Sequence, residues 1–177
     1  MLIRPYEDAM LFMGILSVRG FPSSLRASLE DLFGPIRTVS TPIPFTFTDY
    51  YDAEMGKGIE RFLIAFSNLI SPDRLAEVKT ITDTLELSMA DDGRRPVNLD
   101  PGLITESSVI LATTKNRAHR IAIGRSLYAE VTLIYHHHGF ESFPWTYADY
   151  RSKEIQDVLL SFRREYLDTR KLTGRQG

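Results

Sequence analysis

Apolar and polar positions alternate along the chain with two different periods, and the places where the period changes mark the elements. Leu11 to Val18 is an apolar run broken only by Gly14 and Ser17, too short for a helix and closed by Gly20, so it predicts a central strand. Leu25, Leu29, Leu32 and Phe33 then recur at helical spacing. Ser23 or Ser24 is placed to cap that helix, and Gly34-Pro35 stops it. In the next stretch Ile43, Phe45 and Phe47 alternate with Pro44 and Thr46. That pattern is extended, and two prolines that cannot donate to a ladder put it at a sheet edge. Arg61 to Phe66 predicts another strand. Ser71-Pro72-Asp73 predicts a helix start, with a hydroxyl, a proline and a carboxylate at its first positions. Leu75, Val78, Leu85 and Met89 form that helix's buried stripe, Asp91-Asp92-Gly93 ends it, and Pro96 to Asp100 is extended.

Strand, helix, strand, strand, helix, strand is the order of a split βαβ unit. The predicted class is therefore α+β: a ferredoxin-like βαββαβ core followed by an antiparallel hairpin or meander and a C-terminal helix. In the second part Thr105 to Thr114 fits either a helix or a strand. His119 to Ile123 and Leu127 to His136 read as strands joined at Gly124, and a turn at His138-Gly139 adds a third. Within Leu127–His136, alternation puts Tyr128, Glu130, Thr132 and Ile134 on one face and Ala129, Val131, Leu133 and Tyr135 on the other. Ile155, Val158, Leu159, Phe162 and Tyr166 make the stripe of a last amphipathic helix. The expected organisation is one domain over 1–177, with a ferredoxin-like half at 8–100, a meander plus helix at 101–171 and a frayed tail at 172–177.

Composition narrows the function. The 177 residues are 43% hydrophobic, enough for one substantial core. Twenty-one lysines and arginines against 23 acidic residues leave a net charge of -2, which gives no long-range field for nucleic acid or an anionic membrane. The absence of cysteine excludes thiolate metal sites and cysteine nucleophiles. No apolar run approaches the ~20 residues of a spanning helix, and the start of the chain lacks a basic leader, so the expected location is the cytoplasm, without a membrane partner.

Polar residues gather in four strings rich in glycine, proline and aromatics: Phe47-Thr48-Asp49-Tyr50-Tyr51-Asp52-Ala53-Glu54-Met55-Gly56, Asn98-Leu99-Asp100-Pro101-Gly102, Ala112-Thr113-Thr114-Lys115 with His119-Arg120, and Pro144-Trp145-Thr146-Tyr147-Ala148-Asp149-Tyr150. With Ala129-Glu130-Val131-Thr132-Leu133 between the last two, these strings resemble the signature segments of a prokaryotic family known as domain of unknown function 4416. The resemblance runs from Leu11 to Tyr166. The family has no agreed activity, although some members carry the label "GTP-binding protein". The run His136-His137-His138 departs from the family pattern.

The physical parts of a P-loop site are missing from this sequence: no glycine-rich phosphate loop with a following lysine and hydroxyl occurs. Thr114-Lys115-Asn116-Arg117 has Arg117 where a guanine-reading motif needs an aspartate. Each string also has a plain structural use. Asp100-Pro101-Gly102 is a turn signature, Asp49, Glu54 and Asp149 suit helix caps, Lys115, His119 and Arg120 suit a solvated loop, and Trp145 and Tyr147 suit packing. His136 to His138 suit an exposed hairpin tip, where alternation points successive rings to opposite faces and disfavours a metal site.

Their combination points to a site, since carboxylates, cations and rings concentrated in loop-adjacent segments are what a ligand needs. Asp100, His119 and Glu130 are the candidate catalytic residues. Asp49, Tyr51, Glu54, Asn98, Lys115, Arg120, Trp145 and Tyr147 are the candidate ligand-binding residues. Lys115 and Arg120 suit an anion, Trp145 or Tyr147 stacking, and Asp49 or Asp100 magnesium or proton transfer. Asn98, Asp100, Lys115, His119 and Glu130 are expected to line one pocket. Two readings follow: a small enzyme or binding protein for a phosphorylated or nucleotide-like ligand, or a non-catalytic adaptor whose aromatic loops hold a protein partner. The reaction class stays open.

Overall fold

The computed structural model describes residues 5–173. Within them every neighbouring strand pair is antiparallel, in one sheet ordered β2-β4-β1-β5-β6-β8-β7. The strands are β1 Ala9–Ser17, β2 Ile36–Val39, β3 Ile43–Pro44, β4 Glu60–Ile70, β5 Val97–Ile104, β6 Ser108–Thr113, β7 Ile121–Gly124, β8 Leu127–His136 and β9 Gly139–Ser142. Both outer edges are shared by short strands, β2 and β3 along β4, and β7 and β9 along β8. Among the described residues no helix is long and apolar enough to cross a membrane.

Helix α1 (Ser23–Phe33) and helix α3 (Leu75–Ser88) cover one face, where Leu25, Leu29 and Val78 meet Leu11, Met13, Ile15, Ile64, Phe66 and Leu99. The long helix α4 (Lys153–Thr173) covers the other, setting Ile155, Leu159, Phe162 and Tyr166 against Met10, Phe12, Leu63, Ile104 and Leu133. Strand β1 is buried along its whole length, which is why its sequence is a continuous apolar run and not an alternation.

Several boundaries differ from those the sequence predicts. The second strand is Ile36–Val39, and the extended stretch Ile43–Phe47 contributes only the two residues of β3. The strand predicted from Arg61 runs Glu60–Ile70, Thr105–Thr114 resolves into strand β6, and His119 precedes β7 instead of starting it. The N-caps of α1 and of the turn at Pro72–Arg74 are Pro22 and Ser71, and neither makes a side-chain capping bond. Asp149 opens a 3-10 turn, Asp149–Arg151, and the Ser152 hydroxyl accepts the Ile155 amide at the start of α4. Leu172 lies within α4, and 174–177 of the predicted frayed tail lie outside the described residues. The hairpin tip is His137-His138, both at positive φ, between the pair His136 and Gly139.

Two departures shape the site. A register shift between Val109 and Ile110 leaves Thr132 as an extra residue, so Leu133 and not Ile134 faces α4 with Glu130. More important, Asp100-Pro101-Gly102 is no turn. It lies inside β5, paired with Gly14, Met13 and Phe12 of β1. On its other side β5 pairs with β6 only from Gly102 to Ile104, so Val97–Pro101 presents an open edge. Pro101, two residues from Leu99 and therefore turned to the same edge, has no N–H to leave unpaired there.

Candidate functional site

The open edge of β5 needs partners, and α3 supplies them. The Leu99 amide donates to Glu86 Oε1 at 2.6 Å and its carbonyl accepts from Lys79 Nζ at 3.0 Å, two side chains standing in for a missing strand. Burial pushes the Glu86 carboxyl up, against the pull of Lys79 and Arg95. Burial pushes the Lys79 ammonium down, but Asp100, Glu86 and Asp83 outweigh it and hold the charge. The gap between the parting strands β5 and β6 opens into a cleft of about 750 Å³.

On the α4 face of the sheet, Arg61 of β4 lies over Gly14 of β1. A Cβ at Gly14 would sit 2.5 Å from the guanidinium and 3.2 Å from the Tyr150 hydroxyl, so glycine makes the room. Arg61 is 4% exposed, contacting Asp149 at 2.8 Å and Asp100 at 3.3 Å. Burial opposes its charge, and Asp149, Tyr150 and Asp100 outweigh that opposition. Burial pushes the Asp149 carboxyl above its ordinary range, with Arg61 pulling the other way. Four side-chain atoms in this floor, Arg61 Nε, Asn98 Nδ2, Asp149 Oδ2 and the Tyr150 hydroxyl, are buried with no hydrogen-bond partner in the protein; Asp149 Oδ2 is engaged by its ion pair with Arg61 Nη2 at 2.8 Å, which leaves the other three without any partner. Burial also raises the Tyr150 and Tyr51 phenols, so both stay protonated donors.

The cleft wall brings together distant segments. Of the sequence-predicted residues, Tyr51, Asn98, Asp100, Lys115 and Tyr147 line it. Lys115 Nζ stands 5.0 Å from the centre of the exposed Tyr50 ring, and among the described residues no carboxylate pairs with it. The other three cations of the cleft are engaged: Arg61 as above, Lys79 with Asp83 at 2.8 Å, and Arg95 with Glu54 and Glu86.

His119, Arg120, Glu130 and Trp145 do not line the cleft, so the expected five-residue pocket divides in two. Glu130 is 1% exposed, and its Oε2 meets His119 Nε2 at 3.0 Å and accepts from Arg120 Nε at 2.7 Å, while Thr132 donates to Oε1. Arg120 goes on to donate to the Lys115 carbonyl at 2.7 Å and to the Tyr147 hydroxyl at 2.9 Å. Trp145 stacks between His119 and Phe143 at centroid distances of 4.8 and 4.7 Å, and its indole donates to the Val131 carbonyl. The second cluster is thus a bracket behind the wall, fixing Lys115 and Tyr147 from the rear. Glu54, in helix α2 (Asp52–Met55), holds Arg95. Asp49 stands exposed in the loop before α2, between the lining residues Thr48 and Tyr50 but not itself in the lining. Among the described residues no three His, Asp or Glu side chains group as ligands for one ion. The histidine run forms no such set; His136 Nδ1 meets Glu141 at 3.0 Å.

Sequence reasoning missed Arg61, Asp149 as its partner, Tyr150, Lys79, Glu86 and Arg95. The signal present was Gly14, a lone glycine inside an apolar strand, which marks a close approach by another group.

An antiparallel sheet with helices on both faces and a polar, aromatic cleft at a strand divergence defines a mixed helix-and-sheet protein, and no reaction follows from that class alone. Residues 7–166 match the family described as domain of unknown function (DUF4416), and the chain belongs to that family. No curated protein and no solved structure matches it.

Proposed function

We propose that the cleft between β5 and β6 binds a small phosphorylated or nucleotide-like ligand. One observation carries this reading: Arg61 Nε, Asn98 Nδ2 and the Tyr150 hydroxyl stand together at the cleft floor, buried and unpartnered. An unmet buried polar group costs about 1–3 kcal/mol, and three in one place are hard to explain in a purely structural sheet. Donors of this kind suit ligand oxygens. Asp100, 30% exposed and held by one long contact to Arg61, keeps acceptor capacity for hydroxyls. Exposed Tyr50, Phe47 and Tyr147 supply flat surfaces at the mouth, so in this reading the aromatic loops serve the ligand and not a protein partner.

Asp100 is the residue placed to touch the ligand, and His119 and Glu130 act through Arg120 as positioning residues. A magnesium ion would enter with the ligand's phosphate and not as a resident of the protein. The order β2-β4-β1-β5 with α1 and α3 on one face supports a ferredoxin-like first half, continued by the meander in a single cytoplasmic domain.

The test is thermal unfolding of the full chain against nucleotides, sugar phosphates and inorganic phosphate, with and without magnesium. A ligand at a hundred times its Kd adds about 2.7 kcal/mol. Asp100→Asn should lose that gain while its unliganded stability stays within about 1 kcal/mol of wild type, because the Asp149 partner of Arg61 remains. No stabilisation by any compound, or unfolding of Asp100→Asn, defeats the proposal.

A further inference from the structure

The charge inventory of the cleft goes further than its general polarity. Four cations and four carboxylates line it: Arg61, Lys79, Arg95 and Lys115 against Asp83, Glu86, Asp100 and Asp149. Three of the cations are bound to carboxylates. Lys115 alone has no such partner among the described residues, and it is exposed at the mouth beside Tyr50. Its backbone is pinned on both sides, the amide donating to Thr113 Oγ1 at 3.2 Å and the carbonyl accepting from Arg120 at 2.7 Å. The bracket through Glu130 therefore fixes the backbone from which Lys115 extends, and its ammonium, without a carboxylate, lies beside the Tyr50 ring.

Resting on the ligand reading above, we infer that the cleft takes a phosphate monoester of a hydroxylated molecule bearing a flat ring, a nucleoside monophosphate, in preference to the di- and triphosphates. The single phosphoryl group meets Lys115, a charge-assisted contact at the mouth. The ring lies against Tyr50 and Tyr147, the sugar hydroxyls donate to Asp100, and ring or sugar oxygens accept from the floor. Each additional phosphoryl group would bring negative charge into a site whose remaining cations are already neutralised and whose carboxylates repel it.

The experiment is calorimetric titration of the full chain, without added metal and again with magnesium. The probes are adenosine and uridine 5′-monophosphates, the two nucleosides, and the two triphosphates. The expected result is a monophosphate bound about tenfold more tightly than its nucleoside, roughly one charge-assisted contact, and more tightly than its triphosphate. In Lys115→Met the monophosphate and the nucleoside should bind within about twofold of each other, and Lys115→Arg should restore the gap. Lys115 is exposed and packs in no core, so both variants fold, which circular dichroism checks. A triphosphate that binds more tightly than its monophosphate, or a gap that survives in Lys115→Met, overturns this inference and leaves the broader ligand reading standing. No binding by any of the six probes overturns this inference, and if sugar phosphates and inorganic phosphate also fail to stabilise the chain, the broader reading falls with it.

Discussion

Arg61 and Glu130 are both charged side chains sunk into the same sheet, on the face that α4 covers, yet their surroundings are finished differently. Around Glu130 the donors and acceptors close on one another: His119, Arg120 and Thr132 meet its two oxygens, and Arg120 also donates to the Lys115 carbonyl and the Tyr147 hydroxyl. Around Arg61 the account stays open, with its own Nε, the Asn98 amide and the Tyr150 hydroxyl unpartnered. A closed network gains its full electrostatic stabilisation in the folded chain and behaves as a strut. An open one keeps hydrogen-bonding capacity for something else, at a cost to the unliganded fold. The difference separates a closed network from an open one better than burial or charge does, since the two are alike in both.

The largest effect should come from the closed network. Glu130→Ala leaves the Arg120 guanidinium, 6% exposed, without its carboxylate. Removing one partner of a buried pair costs about 3–5 kcal/mol, and the urea midpoint should fall accordingly with an unchanged slope. A loss under about 1 kcal/mol would place Glu130 outside any strut and erase the contrast.

The sequence made the frame legible where periodicity was long and unambiguous. The apolar run of β1, the start at Ser71-Pro72 and the stripe Ile155, Leu159, Phe162 and Tyr166 each predict the element found. Strand β2 escaped because Ile36–Val39 is four residues with one buried side chain, too little for any period to register. Asp100-Pro101-Gly102 misled for a physical reason: local preference favours a turn there, and pairing with β1 across eight residues of β5 overrides it. In the site, Tyr51, Lys115 and Tyr147 each have a plain structural use, and only their concentration in loop-adjacent strings grouped them; the structure brings these three to the cleft wall. Arg61 was not legible. An arginine near a strand end reads as a solvated charge, and only the tertiary placement of Asp149 and Gly14 buries it.

A smaller effect of opposite sign tests the open network. Tyr150→Phe removes a hydroxyl that is buried without a partner while keeping the ring packed beneath Arg61, whose guanidinium lies 5.8 Å from its centre. The unliganded variant should be as stable as wild type or up to about 1 kcal/mol more so, because an unsatisfied group has been deleted and nothing else lost. Its stabilisation by ligand should fall at the same time. A loss above about 1.5 kcal/mol would mean that the hydroxyl is already satisfied, and the floor would then be as closed as the Glu130 bracket.

The smallest effect belongs to the pair that lies between these extremes. Glu54 and Arg95 meet at the cleft's edge with side chains 27% and 28% exposed, bonded at 2.6 and 2.9 Å but open to water. The Arg95 side-chain hydrogen bond, opposed by burial and helped by the Arg95 amide, holds the Glu54 carboxyl below its ordinary range. A carboxylate whose folded pKa is depressed contributes stability that is present above its unfolded value and is lost as pH falls through the folded one. The contribution should therefore be intact at pH 6 to 7 and disappear below about pH 4. Solvent screening limits it to less than about 1 kcal/mol, well under the Glu130 effect. Glu54→Gln keeps the shape and removes the titration, so the difference between wild type and variant in urea midpoint should shrink as pH drops from 6 to 3.5. A difference that stays constant across that window would assign the Glu54 contribution to packing, and one as large as the Glu130 loss would show that exposure does not grade these clusters.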